Sequence, residues 1–265
     1  MQKMNKYKLA TLASYLLILV NVRSQQNSTG SILIEGGIVR GISGDRQIAL
    51  VFTGDEWFEG YETILQYLEQ QKVKGGFFLT GRLMRNPTAV THIRESARMG
   101  HYVGPHSDMH LLYNDWVVRD SLLVTRDSML ADLRQNLQVM QTLSVRHRHK
   151  LFIPPYEWWN HDVSGWCRQL GWQVISFTPG TYTNADYTTP DMGEKYRSSD
   201  TLLQRLFRKE AAEGLDGAIL LIHIGTDPAR TDKLYNRLPE LIDEFRSRGY
   251  RFVRIDRLVT KAKPR

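Results

Sequence analysis

Apolar residues along most of this chain fall into short continuous runs, and each run is followed by a stretch with helical periodicity. Residues 48–52 are apolar at every position, which is typical of a strand buried on both faces. Residues 61–71 then carry Ile64, Leu65 and Leu68 on one side, as an amphipathic helix does. The pattern predicts a strand followed by a helix, and this unit recurs towards the C-terminus.

The same pattern predicts seven strands and six helices in all. The predicted strands cover residues 48–52, 76–79, 102–103, 151–153, 173–177, 218–222 and 251–255. The predicted helices cover residues 61–71, 87–99, 126–143, 162–170, 201–213 and 238–248. Short connections between alternating strands and helices favour a parallel α/β sheet, and their even spacing favours a barrel over an open doubly wound sheet. A small hairpin with a Gly-Gly turn is predicted before them, at residues 32–39.

The first 24 residues have a different character. Lys3, Lys6 and Lys8 precede an apolar run at 9–22 that ends near the small residue Ser24, which is the arrangement of a secretory signal peptide. The run is shorter than the ~20 residues that a bilayer-spanning helix needs. We therefore predict an exported protein, periplasmic or extracellular, with no integral membrane span in the mature chain. The alternatives are a retained amphipathic anchor and an internal start helix.

Composition and charge narrow the class of protein. With 265 residues, 42% hydrophobic, the chain is long enough for one sizeable core. We predict a signal peptide at 1–24, a linker and hairpin at 25–45, and one folded domain at 46–265. Four of the seven excess positive charges lie in the first 24 residues, and no basic block is interleaved with aromatic residues, so no nucleic-acid partner is predicted. Cys167 is the only cysteine, which excludes an internal disulfide.

Residues suited to chemistry follow the predicted strands at one end. Parallel α/β folds build their sites at the carboxyl ends of their strands. The residues found there are Asp55, Glu56, Trp57, His106, His110, Tyr156, Glu157, Trp158, Trp159, Tyr182, Asp186 and His223. This segregation predicts one functional site at that end of the fold.

Two of these residues, His106 and His110, are spaced so that both imidazoles lie on one side of the backbone. An acid such as Asp55 from another strand end would complete three ligands and leave an open position, as in catalytic sites for zinc, iron, nickel or cobalt. The alternatives are two surface histidines on a polar loop, and a turn or helix-capping role for Asp55.

The remaining polar residues suit acid–base chemistry. A further carboxylate would take a proton from an attacking water, and His223 would protonate a departing amine or alkoxide. The alternatives are a core histidine for His223 and a solvated loop acid for Glu157. The aromatic residues either stack on a sugar ring or pack within the protein, and the sequence leaves both open. They are Trp57, Trp158, Trp159 and Tyr182.

The order of four motifs resembles that of the polysaccharide deacetylases with a NodB-type homology domain. These motifs are an acidic first motif at 55–56, H-S-x-x-H at 106–110, P-P-Y at 154–156 and L-x-H at 221–223. The resemblance extends from about residue 46 to the last strand. It implies a distorted (β/α) barrel of about seven parallel strands. It also implies hydrolysis of N- or O-linked acetyl groups on an extracytoplasmic poly- or oligosaccharide.

Family resemblance also implies roles for individual residues. It assigns one divalent metal ion, with zinc preferred over nickel, cobalt and iron, to Asp55, His106 and His110. It assigns an oxyanion-binding backbone amide to Tyr156 and the general acid to His223. An acid of the family's fourth motif corresponds loosely to Asp186, which would orient His223.

Two departures from the family pattern fall on the general base. The usual T-F-D-D-G is replaced by V-F-T-G-D-E at 51–56, and the arginine of R-x-P-Y is replaced by Ile153. We interpret this as a relocated base, either Glu56 or Glu157, with Glu157 preferred because it follows Tyr156 on a loop already committed to the site. One alternative is a catalytically inactive carbohydrate-binding protein on the same scaffold. Another is a hydrolase of small cyclic or linear amides.

Overall fold

The computed structural model describes residues 25–26, 30–42, 44–145 and 149–260. The predicted signal peptide at 1–24 lies outside these residues. Among the helices of the described ranges, none combines the length and apolar character that a bilayer crossing requires.

Ten strands and eight α-helices are found in the described part of the chain. The strands are β1 (Gln25–Gln26), β2 (Ile32–Ile34), β3 (Gly37–Arg40), β4 (Gln47–Gly54), β5 (Gly76–Leu79), β6 (Tyr102–Pro105), β7 (Leu151–Phe152), β8 (Gln173–Val174), β9 (Ile219–His223) and β10 (Arg251–Phe252). The α-helices are α1 (Tyr61–Gln70), α2 (Gly81–Met84), α3 (Pro87–Arg98), α4 (Arg126–Thr142), α5 (His161–Gln169), α6 (Ser199–Glu213), α7 (Leu238–Ser247) and α8 (Ile255–Val259). Short 3-10 helices cover Pro155–Glu157, Thr183–Tyr187, Pro190–Lys195 and Leu234–Arg237. All the predicted strands and helices of the barrel are present, and α2 and α8 are additional.

Strand β4 is the centre of the main sheet. Its residues 49–53 pair in parallel with β9, and its residues 51–54 pair in parallel with β5. Because residues 51–53 pair with both strands, β9 and β5 lie along opposite edges of β4. Strand β10 pairs with the first two residues of β4, and β6 pairs with β5, again in parallel. The predicted parallel sheet is confirmed.

Single hydrogen bonds continue this sheet around a ring. The Ile153 amide donates to the Pro105 carbonyl at 3.4 Å, which joins the end of β7 to β6. Strand β8 pairs with β7, and the Thr178 amide beyond β8 donates to the Ile219 carbonyl at 2.9 Å. The strands therefore follow one another in the order β4, β5, β6, β7, β8 and β9 around an irregular ring. This is the architecture of a distorted (β/α) barrel.

The side chains of β4 alternate between two hydrophobic clusters, one on each face of the sheet. Successive side chains of a strand point to opposite faces. Ile48, Leu50 and Phe52 accordingly pack in the cluster formed with the helices, whereas Ala49 and Val51 pack in a second cluster with residues of β9. The all-apolar run at 48–52 is thus explained by burial on both faces. The same alternation places Thr53 on the inner face, at the carboxyl end where the site was predicted.

Two local predictions need correction. The hairpin turn is Glu35-Gly36, because Ile34 pairs with Gly37 and Gly37 belongs to β3. Glycine is required at 37 because a Cβ there would lie 2.7 Å from the Trp159 ring. The last strand was predicted to reach residue 255, but β10 ends at Phe252 and helix α8 begins at Ile255.

Candidate active site

His106 follows β6 directly and is buried. Its Nδ1 lies 2.8 Å from the Ile153 carbonyl oxygen. Because a carbonyl only accepts hydrogen bonds, Nδ1 carries the proton and Nε2 carries the lone pair. Burial, reinforced by the neighbouring charge of His110, lowers the pKa of His106 to about 3. The ring is therefore neutral at neutral pH, with Nε2 available as a ligand atom.

His110 lies beside His106, with 5.0 Å between the two ring centroids. Its backbone is in the left-handed region, with φ 56°, and its amide donates to Ser107 Oγ at 2.9 Å. Burial lowers the pKa of His110 to about 4, although the charge of Asp55 acts in the opposite direction. Two neutral imidazoles are thus held next to each other by the loop that follows β6.

Asp132 on α4 fixes this loop. Its carboxylate accepts hydrogen bonds from the amide of Met109 at 2.9 Å, from the amide of Asp108 at 3.2 Å and from the Tyr113 hydroxyl at 2.9 Å. Sequence reasoning missed Asp132. A signal was present, since Asp132 shares the buried face of α4 with residues such as Met129, and an acid on such a face needs a partner.

A second buried acid, Asp108, ties the same loop to the end of α2. Its carboxylate accepts two hydrogen bonds from Arg85, both at 2.8 Å. Gly81 comes so close to it that a Cβ would lie 1.9 Å from Asp108 Oδ1. Any larger residue at 81 would therefore displace the ion pair. Sequence reasoning missed Asp108 and Arg85 as well, because only the fold brings them together.

Asp55 is held by Arg82. The Thr80 hydroxyl donates to Asp55 Oδ1 at 2.9 Å, Arg82 Nε donates to the same oxygen at 3.1 Å, and Arg82 Nη2 pairs with Oδ2. His110 Nδ1 lies 3.9 Å from Oδ2. Burial alone would raise the pKa of Asp55, but His110, Arg82 and Thr80 together lower it below its ordinary value. Asp55 is therefore an anion whose two oxygens both face Arg82.

The predicted metal triad is not assembled as a ready site. Across residues 25–26, 30–42, 44–145 and 149–260, no three His, Cys, Asp or Glu side chains are gathered with metal-binding geometry. The donor chemistry nevertheless fits a divalent ion. Two imidazoles are neutral, His106 holds its second nitrogen on a carbonyl as metal-ligating histidines do, and the Asp55 carboxylate lies beside His110. If a divalent ion replaced Arg82 at the Asp55 carboxylate, the set of three ligands would be complete.

Glu157 lies at the same end of the strands as His106 and His110, in the 3-10 turn after β7. Tyr156 and Glu157 both have left-handed backbones, with φ 59° and 53°, which is uncommon away from glycine and is found at functional sites. Glu157 Oε1 is 3.9 Å from His106 Nε2, and the Glu157 side chain is only 10% exposed. Burial raises its pKa to about 7, with Asp186 adding to the rise and His223 opposing it. Glu157 is therefore not the solvated loop acid considered above, whereas Glu56 is exposed.

His223 ends β9 and is bound twice by Asp186. His223 Nδ1 lies 2.6 Å from Asp186 Oδ1, and the His223 amide donates to Asp186 Oδ2 at 3.0 Å. Asp186 is 1% exposed. Burial would lower the pKa of His223, but the Asp186 charge and hydrogen bond, and then Glu157, raise it above its ordinary value. The imidazole therefore retains a proton that it can donate.

Comparison with known proteins identifies the family. A family model described as polysaccharide deacetylase matches residues 41–175, which is half of the chain. The chain belongs to the polysaccharide deacetylase family. No curated protein has a significant match to the chain.

Solved structures share the fold. A pseudoenzyme of carbohydrate esterase family 4 from Bacillus anthracis is 22% identical, with a TM-score of 0.68 over 86% of this chain and 70% of that one. A mutant of it with restored enzymatic activity is 21% identical, with a TM-score of 0.68 over 86% of this chain and 73% of that one. The chitin deacetylase of the fungal pathogen Colletotrichum lindemuthianum is 19% identical, with a TM-score of 0.68 over 85% of this chain and 92% of that one. At these identities the likeness concerns the fold.

The departure from the deacetylase pattern at 53–54 has a physical basis. Thr53 is buried, and its hydroxyl has no hydrogen-bond partner among the described residues. At Gly54 a Cβ would lie 2.2 Å from Ile224 Cδ1. The space for a side chain at 54 is therefore filled by Ile224. Two carboxylates do lie beside the histidines: Asp55 is 3.9 Å from His110 and Glu157 is 3.9 Å from His106.

The four aromatic residues predicted to bind substrate differ in their exposure and contacts. Trp159 is 3% exposed and its Nε1 donates to the Glu35 carbonyl at 3.1 Å, so its assignment to substrate binding was wrong. Trp57 is half-buried. Tyr182 is 42% exposed, with the Arg205 guanidinium 5.2 Å from its ring centroid. Trp158 is half-buried and belongs to a row of rings beside His110. Trp116, which sequence reasoning missed, is part of that row.

Proposed function

We propose that this chain hydrolyses N- or O-linked acetyl groups of an extracytoplasmic poly- or oligosaccharide. The observation that carries the proposal is that two titratable groups at the same end of the strands both have raised pKa values. Burial raises the pKa of Glu157 to about 7, and Asp186 raises the pKa of His223 above its ordinary value despite burial. A pair of titratable groups tuned in this way suits general acid–base catalysis near neutral pH. The extracytoplasmic location rests on the predicted signal peptide.

Glu157 is the proposed general base. A base must lose its proton within the working pH range and still be basic enough to take one from water. A carboxylate with a pKa near 7 meets both conditions better than an ordinary solvated glutamate does. Its place beside His106 Nε2 puts it next to the proposed ligands, where an attacking water would be held.

His223 is the proposed general acid. When the tetrahedral intermediate collapses, the departing amine or alkoxide needs a proton. Asp186 holds Nδ1, which leaves Nε2 as the donating nitrogen, and it stabilises the imidazolium form. The same carboxylate fixes the His223 backbone, so ring and main chain are oriented together.

Tyr156 and the metal ligands complete the proposal. The left-handed backbone of Tyr156 sets the direction of its amide, which is the proposed donor to the oxyanion. Asp55, His106 and His110 would hold one divalent ion, with zinc preferred over nickel, cobalt and iron, and the ion would polarise the acetyl carbonyl and make a bound water more acidic. His106 and His110 are already neutral, as metal ligands must be.

Acetate release tests the proposed function. The substrates are acetylated chitin-type and xylan-type oligosaccharides, each with and without added zinc, nickel or cobalt. We expect release from at least one class. Absence of release from both classes under every metal would refute hydrolysis of glycans. Cleavage of a small cyclic or linear amide alone would favour the small-amide alternative.

The second candidate is an inactive carbohydrate-binding protein on the same scaffold. The Arg82 contact favours it, because a guanidinium bound to both oxygens of Asp55 competes with a metal ion. A solved structure of the same fold is a pseudoenzyme. This candidate predicts oligosaccharide binding that survives a chelator, with no acetate release under any metal.

A further inference from the structure

Exposed apolar side chains of the described residues are concentrated in one segment. Among the residues that the structure describes, six large hydrophobic side chains are exposed, and five of them are in the segment from 109 to 123. The five are Met109, Leu111, Val117, Val118 and Leu123. His110 lies in the same segment. Contiguous exposed apolar surface is a mark of binding sites, so the border of the candidate active site next to His110 is suited to a ligand.

Residues 111–124, which we name the rim loop, are held by many hydrogen bonds. Asp115 Oδ1 accepts from the amides of Val117 and Val118, both at 2.8 Å. The Leu123 amide donates to the Tyr113 carbonyl at 2.9 Å. Arg119 Nε donates to the Trp159 carbonyl at 2.6 Å. The rim loop is therefore preformed, and a ligand would bind it with little cost for ordering the chain.

Within the rim loop, Trp116 belongs to a row of rings that starts at His110. The Tyr156 ring centroid is 4.3 Å from that of His110, and the Trp116 centroid is 5.5 Å from that of Tyr156. Trp158 stacks on Trp116 at 5.8 Å with 28° between the planes. Trp116 is thus two ring contacts away from a proposed metal ligand.

Trp158 acts as the support of Trp116. The Arg119 guanidinium lies 4.2 Å from the Trp158 ring centroid, and Trp158 Nε1 donates to the Asp115 carbonyl at 3.0 Å. The hydrogen bond fixes the position of Trp158, and the Arg119 guanidinium covers its ring. Trp116, half-buried and stacked on this fixed ring, is itself held in one orientation.

We propose that Trp116 binds a sugar of the glycan chain adjacent to the acetylated sugar, by stacking its indole against the apolar C–H face of that sugar. The face of an aromatic ring is electron-rich and attracts C–H groups that carry a small positive charge. A glycan is favoured over an unrelated apolar partner because the row of rings is continuous with the candidate active site. The inference rests on the proposed function for the identity of the ligand as a glycan, but not for its hydrolysis.

Calorimetric binding of acetylated chitin-type and xylan-type oligosaccharides to the full chain tests this inference. Each class is used as the acetylated monosaccharide and as a hexasaccharide, in the presence of a chelator. We expect Trp116→Ala to weaken hexasaccharide binding by about tenfold or more, as loss of a central tryptophan does, and to change binding of the monosaccharide, which lacks the adjacent sugar, by less than about twofold. Trp116→Phe should retain most of the hexasaccharide affinity.

Three results would overturn the inference. The first is unchanged hexasaccharide binding by Trp116→Ala. The second is an equal loss for both lengths that Trp116→Phe does not restore, which would mean that Trp116 only supports Tyr156. The third is an equal loss in Val117→Ser, which would indicate general apolar contact. Binding without acetate release would refute the proposed hydrolysis and leave this inference standing. Acetate release from an oligosaccharide whose affinity is unchanged by Trp116→Ala would refute this inference alone.

Discussion

Arg82 binds both carboxylate oxygens of Asp55, the residue that the motif order assigns to a metal ion. The hydrogen bonds from the guanidinium use lone pairs and negative charge of Asp55 that a divalent ion would also use. Arg82 is therefore an internal competitor of the metal, and His106 and His110 alone are two ligands, too few to hold a divalent ion tightly.

Replacing Arg82 by glutamine should accordingly tighten metal binding. We expect the affinity for zinc to rise by about tenfold or more, which corresponds to the loss of one charge-assisted hydrogen bond that the ion would otherwise have to break. Titration calorimetry with zinc measures this without any substrate. Arg82→Lys, which retains the charge, should bind zinc with nearly wild-type affinity. Weaker binding by Arg82→Gln would instead mean that Arg82 orients Asp55 for the metal.

Glu157→Gln should separate binding from hydrolysis. The amide has the size of the carboxyl group but cannot take a proton, so acetate release should fall by roughly 10²–10⁴-fold while oligosaccharide binding is retained. Glu56→Gln is the matched comparison, because Glu56 is the other candidate base and is exposed. If the loss occurs in Glu56→Gln and Glu157→Gln remains near the wild-type rate, the two roles are exchanged.

Asp186→Asn should change the protonation of His223. The Asp186 charge raises the pKa of His223 against the effect of burial. Without that charge, burial dominates and the pKa falls, so that less imidazolium is present at neutral pH. NMR titration of the His223 ring measures the shift directly. Hydrolysis of N-acetyl substrates should fall more than that of an activated ester, whose leaving group needs no proton. An unchanged pKa of His223 would contradict the assignment of Asp186.

His101 should contribute a pH-dependent part of the stability. It accepts a hydrogen bond from the Gly75 amide on Nδ1 at 3.1 Å, and burial, together with Lys74 and Arg254, lowers its pKa to about 4. The unfolded chain takes up this proton near pH 6.5, so the native state loses stability as the pH falls from 6.5 to 4. The loss from this residue is on the order of 3 kcal/mol.

Denaturant unfolding at pH 7 and pH 4 measures that contribution. In His101→Asn, whose amide oxygen can still accept from Gly75, the decrease in unfolding free energy between the two pH values should be smaller than in the wild type by about this amount. An identical decrease in His101→Asn and the wild type would mean that His101 is not the titrating group.

Prediction from the sequence succeeded where the information is local. The apolar run at 48–52 and the helical periodicity at 61–71 each identify an element by its own side chains, and both are present as β4 and α1. Helix α2, with only four residues, is too short for periodicity to reveal. The Gly-Gly turn was placed one residue late, because the need for glycine at 37 comes from Trp159, far away in the chain.

The sequence by itself determined the α/β alternation, the end of the strands at which polar residues collect, and the order of motifs that identifies the family. These features depend on the periodicity and spacing of neighbouring residues. Only the tertiary structure decided which partner each site residue has. In the tertiary structure Asp55 pairs with Arg82, Glu157 is buried beside His106, and Trp159 lies in the core. Such contacts arise when the ring of strands brings distant loops together at one end of the sheet. Burial and the neighbouring charges there set the direction of each pKa shift.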